Sequence, residues 1–194
     1  MRIGIYSGSF NPVHIGHIAL ADYLVSEGFV DELWLIRSPQ NPLKPASGLM
    51  DDDVRLHILQ IAIEGHPSLR ICDIEDHLPR PSYTFVTLNE LHRRYPEHDF
   101  YLVIGADNWL IFDHWREWET ILSDFHVIVY PRPGYPLPVI DKHLYPTVTV
   151  ADAPQYDISS TEIRQRLSQG ESLDGLVDPL VAQALTSQAL QFPH

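Results

Sequence analysis

The sequence predicts a doubly wound α/β fold, a parallel sheet with helices on both faces. Apolar strand-like runs alternate with helix-like stretches along the whole chain, as in folds built from strand–helix–strand units. The strand-like runs are almost continuously apolar, which is typical of strands buried on both faces. A chain of 194 residues fits one domain. We therefore expect 1–194 to form a single domain that closes with a helical segment at 159–192.

Six strands and six helices are predicted. The strands lie at 2–6, 32–37, 69–73, 99–105, 126–130 and 147–151. The helices lie at 15–27, 51–64, 83–94, 114–123, 159–168 and 179–190. Negative charge at 51–53 suits the positive end of a helix dipole, and Gly28 and Gly65 suit helix ends. Ligands of such sheets bind beyond the carboxyl ends of the strands, so the loops after strands 1, 2 and 4 are the candidate site.

Composition excludes several classes of function. The 13 basic and 26 acidic residues give a formal charge of −13, which argues against non-specific binding to nucleic acid or an anionic membrane. The one cysteine, Cys72, excludes an intramolecular disulfide and a cysteine-rich zinc site. No apolar run approaches the ~20 residues that span a bilayer, and the first residues lack the pattern of a signal peptide. We expect a cytoplasmic protein.

The loop after the first strand carries the strongest sequence pattern, SGSFNPVHIGH at 7–17. Gly8 is expected to allow a sharp turn and a close approach to a ligand. His14 and His17 are three residues apart at a helix start, so they share one face of its first turn. Free N–H groups and the helix dipole favour phosphate there, and two imidazoles suit charge that grows in a transition state. Gly16 is expected to leave room for the ligand between them.

A second polar segment, ISSTEIR, ends at Arg164. Ser159 and Glu162 have the spacing of a capping box. The hydroxyls at 160 and 161 and the guanidinium of Arg164 would then give a helix N-terminus a set of donors for phosphate. Taken alone, the segment is better explained as a well-capped surface helix, because capping boxes are common. Its pairing with the first loop favours an anion site.

Both segments resemble motifs of the nucleotidyltransferase superfamily, which has a Rossmann-like fold. SGSFNPVHIGH is similar to its G-[ST]-F-[DN]-P-x-H-x-G-H segment, and ISSTEIR to its I-S-S-T-x-I-R motif. The resemblance implies attack on the α-phosphate of a nucleotide with release of pyrophosphate. It implies ATP binding by Gly8, Ser9, Phe10, Gly16, His17, Gly105, Asp107, Ile158, Ser159, Ser160, Thr161 and Arg164.

Further segments resemble one branch of that superfamily, the bacterial nicotinate-nucleotide adenylyltransferases. NPLKP at 41–45 is similar to the N-P-x-x-K loop of this branch, although Leu43 stands where the branch commonly has histidine. PSYTFVTL at 81–88 is similar to its S-Y-T-x-x-T-L segment, and RPGY at 132–135 to its R-P-G-Y turn. As a purely structural alternative, the first of these is a surface loop and the second a helix cap.

The G-x-D-x7-W pattern of the branch is met by Gly105, Asp107 and Trp115, without the proline that usually precedes the tryptophan. The resemblance implies that Asp107 lies near the nucleotide ribose and that Trp115 stacks on a pyridine ring. Trp109 and Trp118 are expected to pack against the fold. Catalysis is implied for His14, His17, Lys44 and Arg164, and acceptor binding for Lys44, Ser82, Tyr83, Thr84, Trp115 and Arg132.

The function implied by the resemblance is transfer of AMP from ATP to nicotinate mononucleotide. Mg²⁺ is expected to arrive with ATP, so no protein metal site is predicted. Two alternatives remain open at this point. A phosphopantetheine adenylyltransferase shares the first loop and the Ser-Ser-Thr segment, and a non-catalytic sensor would bind ATP without turnover.

Overall fold

All six predicted strands form one parallel sheet. The computed structural model describes residues 1–38 and 49–191. The sheet order is β3-β2-β1-β4-β5-β6, and every neighbouring pair is parallel. The strands are β1 Arg2–Gly8, β2 Glu32–Arg37, β3 Leu69–Cys72, β4 Asp99–Gly105, β5 His126–Tyr130 and β6 Val148–Val150.

Seven α-helices and two 3₁₀ helices join and follow these strands in the described part of the chain. The α-helices are α1 Ile15–Ser26, α2 Asp52–Ala62, α3 Thr84–Arg94, α4 Ala106–Trp109, α5 Trp118–Asp124, α6 Ser160–Gln169 and α7 Pro179–Gln191. The 3₁₀ helices are Ile74–His77 and Phe112–His114. None of these helices is long and apolar enough to cross a bilayer.

Apolar residues on both faces of the sheet explain the doubly wound arrangement. One buried cluster joins the sheet to α1, α2, α6 and α7 through residues such as Leu24, Leu59 and Ile163. The other joins it to α3 and α5 through Leu88 and Ile121. Burial of apolar surface on both faces is the main stabilising contribution to such a sheet. The predicted fold class is confirmed.

The strand order reverses between β1 and β4, which are neighbours in the centre of the sheet. The connection that follows β1 and the connection that follows β4 lie on opposite faces of the sheet. A crevice therefore opens beyond the carboxyl ends of these two strands. Gly8 and Gly105 end these two strands. The loops that follow them therefore line the crevice, as the sequence predicts.

One helix boundary was predicted wrongly. The helix expected at 114–123 begins at Trp118, after a separate 3₁₀ turn. Glu117 has φ 56°, a left-handed conformation that interrupts the helix. Trp115 consequently lies in an extended connection, not on a helix. The short helix α4 and both 3₁₀ helices were not predicted, because a few residues carry no readable period.

Candidate active site

The sharp turn after β1 lies at Phe10 and not at Gly8. Gly8 is still within the strand, whereas Phe10 has φ 40°. The buried ring of Phe10 packs beneath Gly8, where a Cβ atom would lie 3.2 Å from its Cζ atom. A side chain at Gly8 would crowd the ring of Phe10, so this glycine serves the packing of the loop and does not make the expected turn. Phe10 also contacts the ring of His17 edge-on, with centroids 5.2 Å apart.

His14 and His17 stack on each other at the start of α1. Their ring centroids are 3.6 Å apart, with 27° between the planes. The backbone N–H of His14 donates to Nδ1 of His17 at 3.2 Å, which orients the His17 ring. Burial and the nearby charge of Arg132 lower the pKa of His14 to about 4. His14 is therefore neutral near pH 7.

The start of α6 is hydrogen-bonded to the loop after β1. Ser160 Oγ donates to the carbonyl of Pro12 at 2.9 Å. The Arg164 guanidinium donates to the carbonyl of Asn11 at 2.7 Å and to the Thr161 hydroxyl at 3.2 Å. The N–H of Glu162 donates to the Ser159 hydroxyl at 3.1 Å, as the predicted cap requires. These bonds bring together the two motifs that are far apart in sequence.

A narrow groove runs between the stacked histidines and the segment that leads into α6. It is lined by side chains from both motifs together with Arg132 and Tyr156. A Cβ atom at Gly16 would lie 3.1 Å from Cβ of Tyr156 and 3.2 Å from Nδ1 of His14. The glycine therefore lets residue 156 pack on α1, and the space expected there for a ligand is partly filled by the chain. Ile158 lies on the wall of the same groove.

Gly105, Asp107 and Arg132 form a compact unit at the end of β4. Arg132 Nε lies 3.6 Å from Asp107 Oδ1. A Cβ atom at Gly105 would lie 2.3 Å from this oxygen and 2.7 Å from Cγ of Arg132. Only glycine fits at that position without displacing one of the two side chains. Arg132 lines the narrow groove together with His14 and is not among the residues that line the larger cavity described next.

A larger cavity of about 200 Å³ opens between the ends of β1 and β4. Its walls include four of the residues predicted for the acceptor. These are Ser82, Tyr83, Thr84 and Trp115. The first turn of α3 faces the cavity, and no side chain caps that helix end. The cavity therefore combines an aromatic wall with the positive end of a helix dipole.

Glu75 is a site residue that the sequence analysis missed. It is only 4% exposed and lines the same cavity. Its carboxylate accepts hydrogen bonds from four hydroxyl groups on β1, after β2, before α3 and within α3. The donors are Ser7 at 3.4 Å, Ser38 at 2.9 Å, Ser82 at 2.9 Å and Thr87 at 3.1 Å. No motif could have revealed Glu75, because its four partners are scattered over the sequence.

Arg55, on α2, was also missed. Its side chain is fully buried, and its Nη1 donates to the carbonyl of Ser9 at 2.6 Å and to that of Ser38 at 3.0 Å. It also pairs with Asp52 at the start of the helix. Arg55 thereby ties the loop after β1 to the end of β2. Lys44, predicted to be catalytic, lies outside the described residues.

Trp109 and Trp118 pack against the core, as predicted. Trp109 stacks on Phe112 at 5.6 Å between centroids and meets Tyr145 edge-on at 5.7 Å. Among residues 1–38 and 49–191, no three His, Cys, Asp or Glu side chains lie close enough together to hold a metal ion.

Comparisons with known proteins agree with this geometry. The family model described as cytidylyltransferase-like matches residues 5–166. A curated relative from Bacteroides fragilis, named "Probable nicotinate-nucleotide adenylyltransferase", is 49% identical over 96% of this chain and 92% of its own. A relative from Bacteroides thetaiotaomicron with the same name is 49% identical over 93% of this chain and 89% of its own. The chain therefore belongs to the cytidylyltransferase-like family and, within it, to the nicotinate-nucleotide adenylyltransferases.

A solved structure shares the whole fold at low sequence identity. It is the nicotinic acid mononucleotide adenylyltransferase of Plasmodium falciparum complexed with NaAD. The TM-score is 0.80 at 22% identity, and the match covers 97% of this chain and 96% of that one. The same enzyme complexed with APC matches with a TM-score of 0.79 at 21% identity. These likenesses show that the sheet and its helices are shared.

Proposed function

We propose that the protein transfers AMP from ATP to nicotinate mononucleotide, which forms nicotinate adenine dinucleotide and pyrophosphate. One observation carries the proposal. The two segments that are predicted to bind anions meet at the crevice beyond β1, and the larger cavity with its aromatic wall lies beside them. A site of this form has one place for a polyphosphate and another for a second, ring-bearing substrate. The names of the curated relatives support this assignment.

The reaction needs alignment and charge neutralisation more than it needs a base. A phosphate oxygen of nicotinate mononucleotide attacks the α-phosphorus of ATP, forming the new P–O bond. The bond from the α-phosphorus to the bridging oxygen breaks, and its electrons leave with pyrophosphate. The attacking phosphate has a second pKa of about 6, so it is already largely ionised at neutral pH. Positioning two polyanions in line therefore supplies most of the catalysis.

His14 and His17 are assigned to holding the transferred phosphate. Stacked imidazoles at a helix N-terminus offer N–H donors toward oxygens that gain charge in the transition state. Arg164 and the hydroxyls of Ser159, Ser160 and Thr161 are assigned to the phosphates that leave. Lys44 is assigned to bridging the phosphates of the two substrates. Mg²⁺ enters as part of the ATP substrate, bound mainly by phosphate oxygens and water.

The remaining assignments divide the two substrates between the two spaces. Gly105 and Asp107 are assigned to the ribose side of ATP, and Gly16 and Ile158 to the wall of the narrow groove. Gly8, Ser9 and Phe10 are assigned to the nucleotide through the loop after β1, and Gly8 and Gly105 also line the large cavity. In the large cavity, Trp115 is assigned to stacking on the pyridine ring. The first turn of α3, from Ser82 through Tyr83 to Thr84, is assigned to the pyridine carboxylate, since helix N-termini favour anions. Arg132, which lines the groove beside His14, is assigned to the phosphates rather than to the pyridine ring.

The test is pyrophosphate release by the purified protein with Mg²⁺ and ATP. Nicotinate mononucleotide, nicotinamide mononucleotide and phosphopantetheine are offered in parallel. Release that is fastest with nicotinate mononucleotide is the expected result, with one dinucleotide formed per pyrophosphate. Release with phosphopantetheine alone would replace the proposal with the pantetheine reaction. Binding of ATP without release for any acceptor would replace it with a nucleotide sensor.

A further inference from the structure

The large cavity has a cationic side chain on its wall that no motif predicted. The guanidinium carbon of Arg116 lies 5.1 Å from the ring centroid of Tyr83, and both residues line the cavity. Arginine over an aromatic face is held there by a cation–π interaction. Arg116 forms no ion pair within residues 1–38 and 49–191. Its charge is thus available to a ligand in the cavity.

The electrostatic potential differs between the walls of the cavity, because they carry groups of opposite charge. Glu75 presents a buried carboxylate, and the hydroxyls of Ser7, Ser38 and Ser82 already donate to it. An acidic group of a ligand is repelled from that wall and attracted to the wall that holds Arg116. His114 also lines the cavity, next to Asp113 with 3.9 Å between Nε2 and Oδ1.

We infer that Arg116 is a specificity-determining residue, which makes this cavity prefer a pyridine carboxylate over a pyridine carboxamide. The inference rests on the proposed function and names the group that chooses between two acceptors of almost equal shape. Because the acceptors differ mainly in one negative charge, a free cation at the pyridine wall favours the acid. Arg116 is exposed, so the preference that it contributes is modest, roughly two- to fivefold.

The shape of the side chain matters as well as its charge. A guanidinium can stack on Tyr83 and donate two parallel hydrogen bonds to a carboxylate, which an ammonium group does not do. Arg116→Lys is therefore expected to keep part of the acid preference. Arg116→Gln is expected to lose the whole contribution of the positive charge to the acid preference.

The test measures binding of nicotinate mononucleotide and nicotinamide mononucleotide by calorimetry at pH 8. It uses the full chain, Arg116→Gln, Arg116→Lys and the control Arg93→Gln, an exposed arginine paired with Glu90 on α3. We expect Arg116→Gln to lower the preference for the acid over the amide roughly two- to fivefold, through weaker binding of the acid alone. Binding of nicotinamide mononucleotide and of ATP should stay unchanged, Arg116→Lys should give an intermediate ratio, and Arg93→Gln should match the full chain.

Two results would overturn the inference. One is an unchanged acid-to-amide ratio in Arg116→Gln. The other is an equal loss for both mononucleotides, which would mean that Arg116 only supports the cavity wall. Pyrophosphate release by the unaltered protein separates this inference from the proposed function. If that protein turns over and Arg116→Gln keeps the ratio, the inference alone is wrong. If it binds the acid through Arg116 without turnover, the proposed function alone is wrong.

Discussion

The two halves of the site are assembled in different ways. The half assigned to the nucleotide consists of two continuous segments, the loop from β1 into α1 and the start of α6. Arg164 and Ser160 join them directly. The half assigned to the acceptor collects side chains from β1, from α3 and from the loops after β2 and before α3, and Glu75 ties four of them together. This difference indicates that the halves can be weakened separately, so substitutions in each should affect one substrate more than the other.

The largest effect is expected for His17→Ala, in the nucleotide half. Removal of a group that donates to charge developing in the transition state should lower kcat by roughly 10²- to 10³-fold, with little change in the dissociation constant of ATP. Initial rates of pyrophosphate release and ATP titrations provide the two values. His57→Ala, an exposed histidine on α2, is the control. Equal losses in kcat and in ATP affinity would contradict the role of His17.

Arg164→Gln should give the next largest effect. It removes the bond to the carbonyl of Asn11 and a charge assigned to the leaving phosphates. We expect kcat/KM for ATP to fall roughly 30- to 100-fold. The matched control is Arg166→Gln on the same helix, because that arginine pairs with Glu162 on the surface. If the two variants lost activity equally, the contact between the motifs would have no catalytic importance.

His14 provides a prediction about pH. Its folded-state pKa of about 4 lies below the unfolded value of 6.5. The unfolded chain therefore binds more protons between these values, and the free energy of unfolding must fall as pH falls through this window. Between pH 7 and pH 5 the unaltered protein should lose about 2 kcal/mol more than His14→Gln. Urea unfolding at both pH values measures this difference, and equal losses would mean that His14 is not held neutral by burial.

Glu75→Gln should have a smaller effect, confined to the acceptor half. The amide keeps the size of the side chain but accepts hydrogen bonds on one atom only. We expect the four hydroxyl-bearing segments to loosen and the KM for nicotinate mononucleotide to rise about tenfold, with the KM for ATP unchanged. Glu97→Gln is the control, because Glu97 is exposed. A normal KM for the acceptor would show that the hydroxyl cluster has no part in binding.

The same difference explains how much the sequence could predict. All six strands and the positions of six helices follow from the spacing of apolar residues and from the glycines that end helices. The residues assigned to the nucleotide follow from two continuous motifs. The start of α5 was missed because a single left-handed residue, Glu117, separates Trp115 from the helix. Gly8 was assigned a turn that Phe10 makes, since backbone conformation at one residue depends on packing that a sequence does not show.

The residues of the acceptor half were only partly predictable. Trp115 and Thr84 were found through a family pattern, and the structure brings both to one cavity. Glu75 and Arg116 were not found, because their environment is created by contacts between distant segments. A glutamate before a proline-rich loop and an arginine beside a tryptophan look like ordinary surface residues. Only the fold shows that one is buried among hydroxyls and that the other lies over Tyr83.

The separate character of the two halves is tested most directly by measuring both KM values for Arg164→Gln and Glu75→Gln side by side. The account predicts a reciprocal pattern in pyrophosphate release. Arg164→Gln should impair the use of ATP and leave the KM for nicotinate mononucleotide within about twofold, whereas Glu75→Gln should do the reverse. If both variants raised both KM values by similar factors, the site would behave as one unit, and the division drawn from its contacts would be wrong.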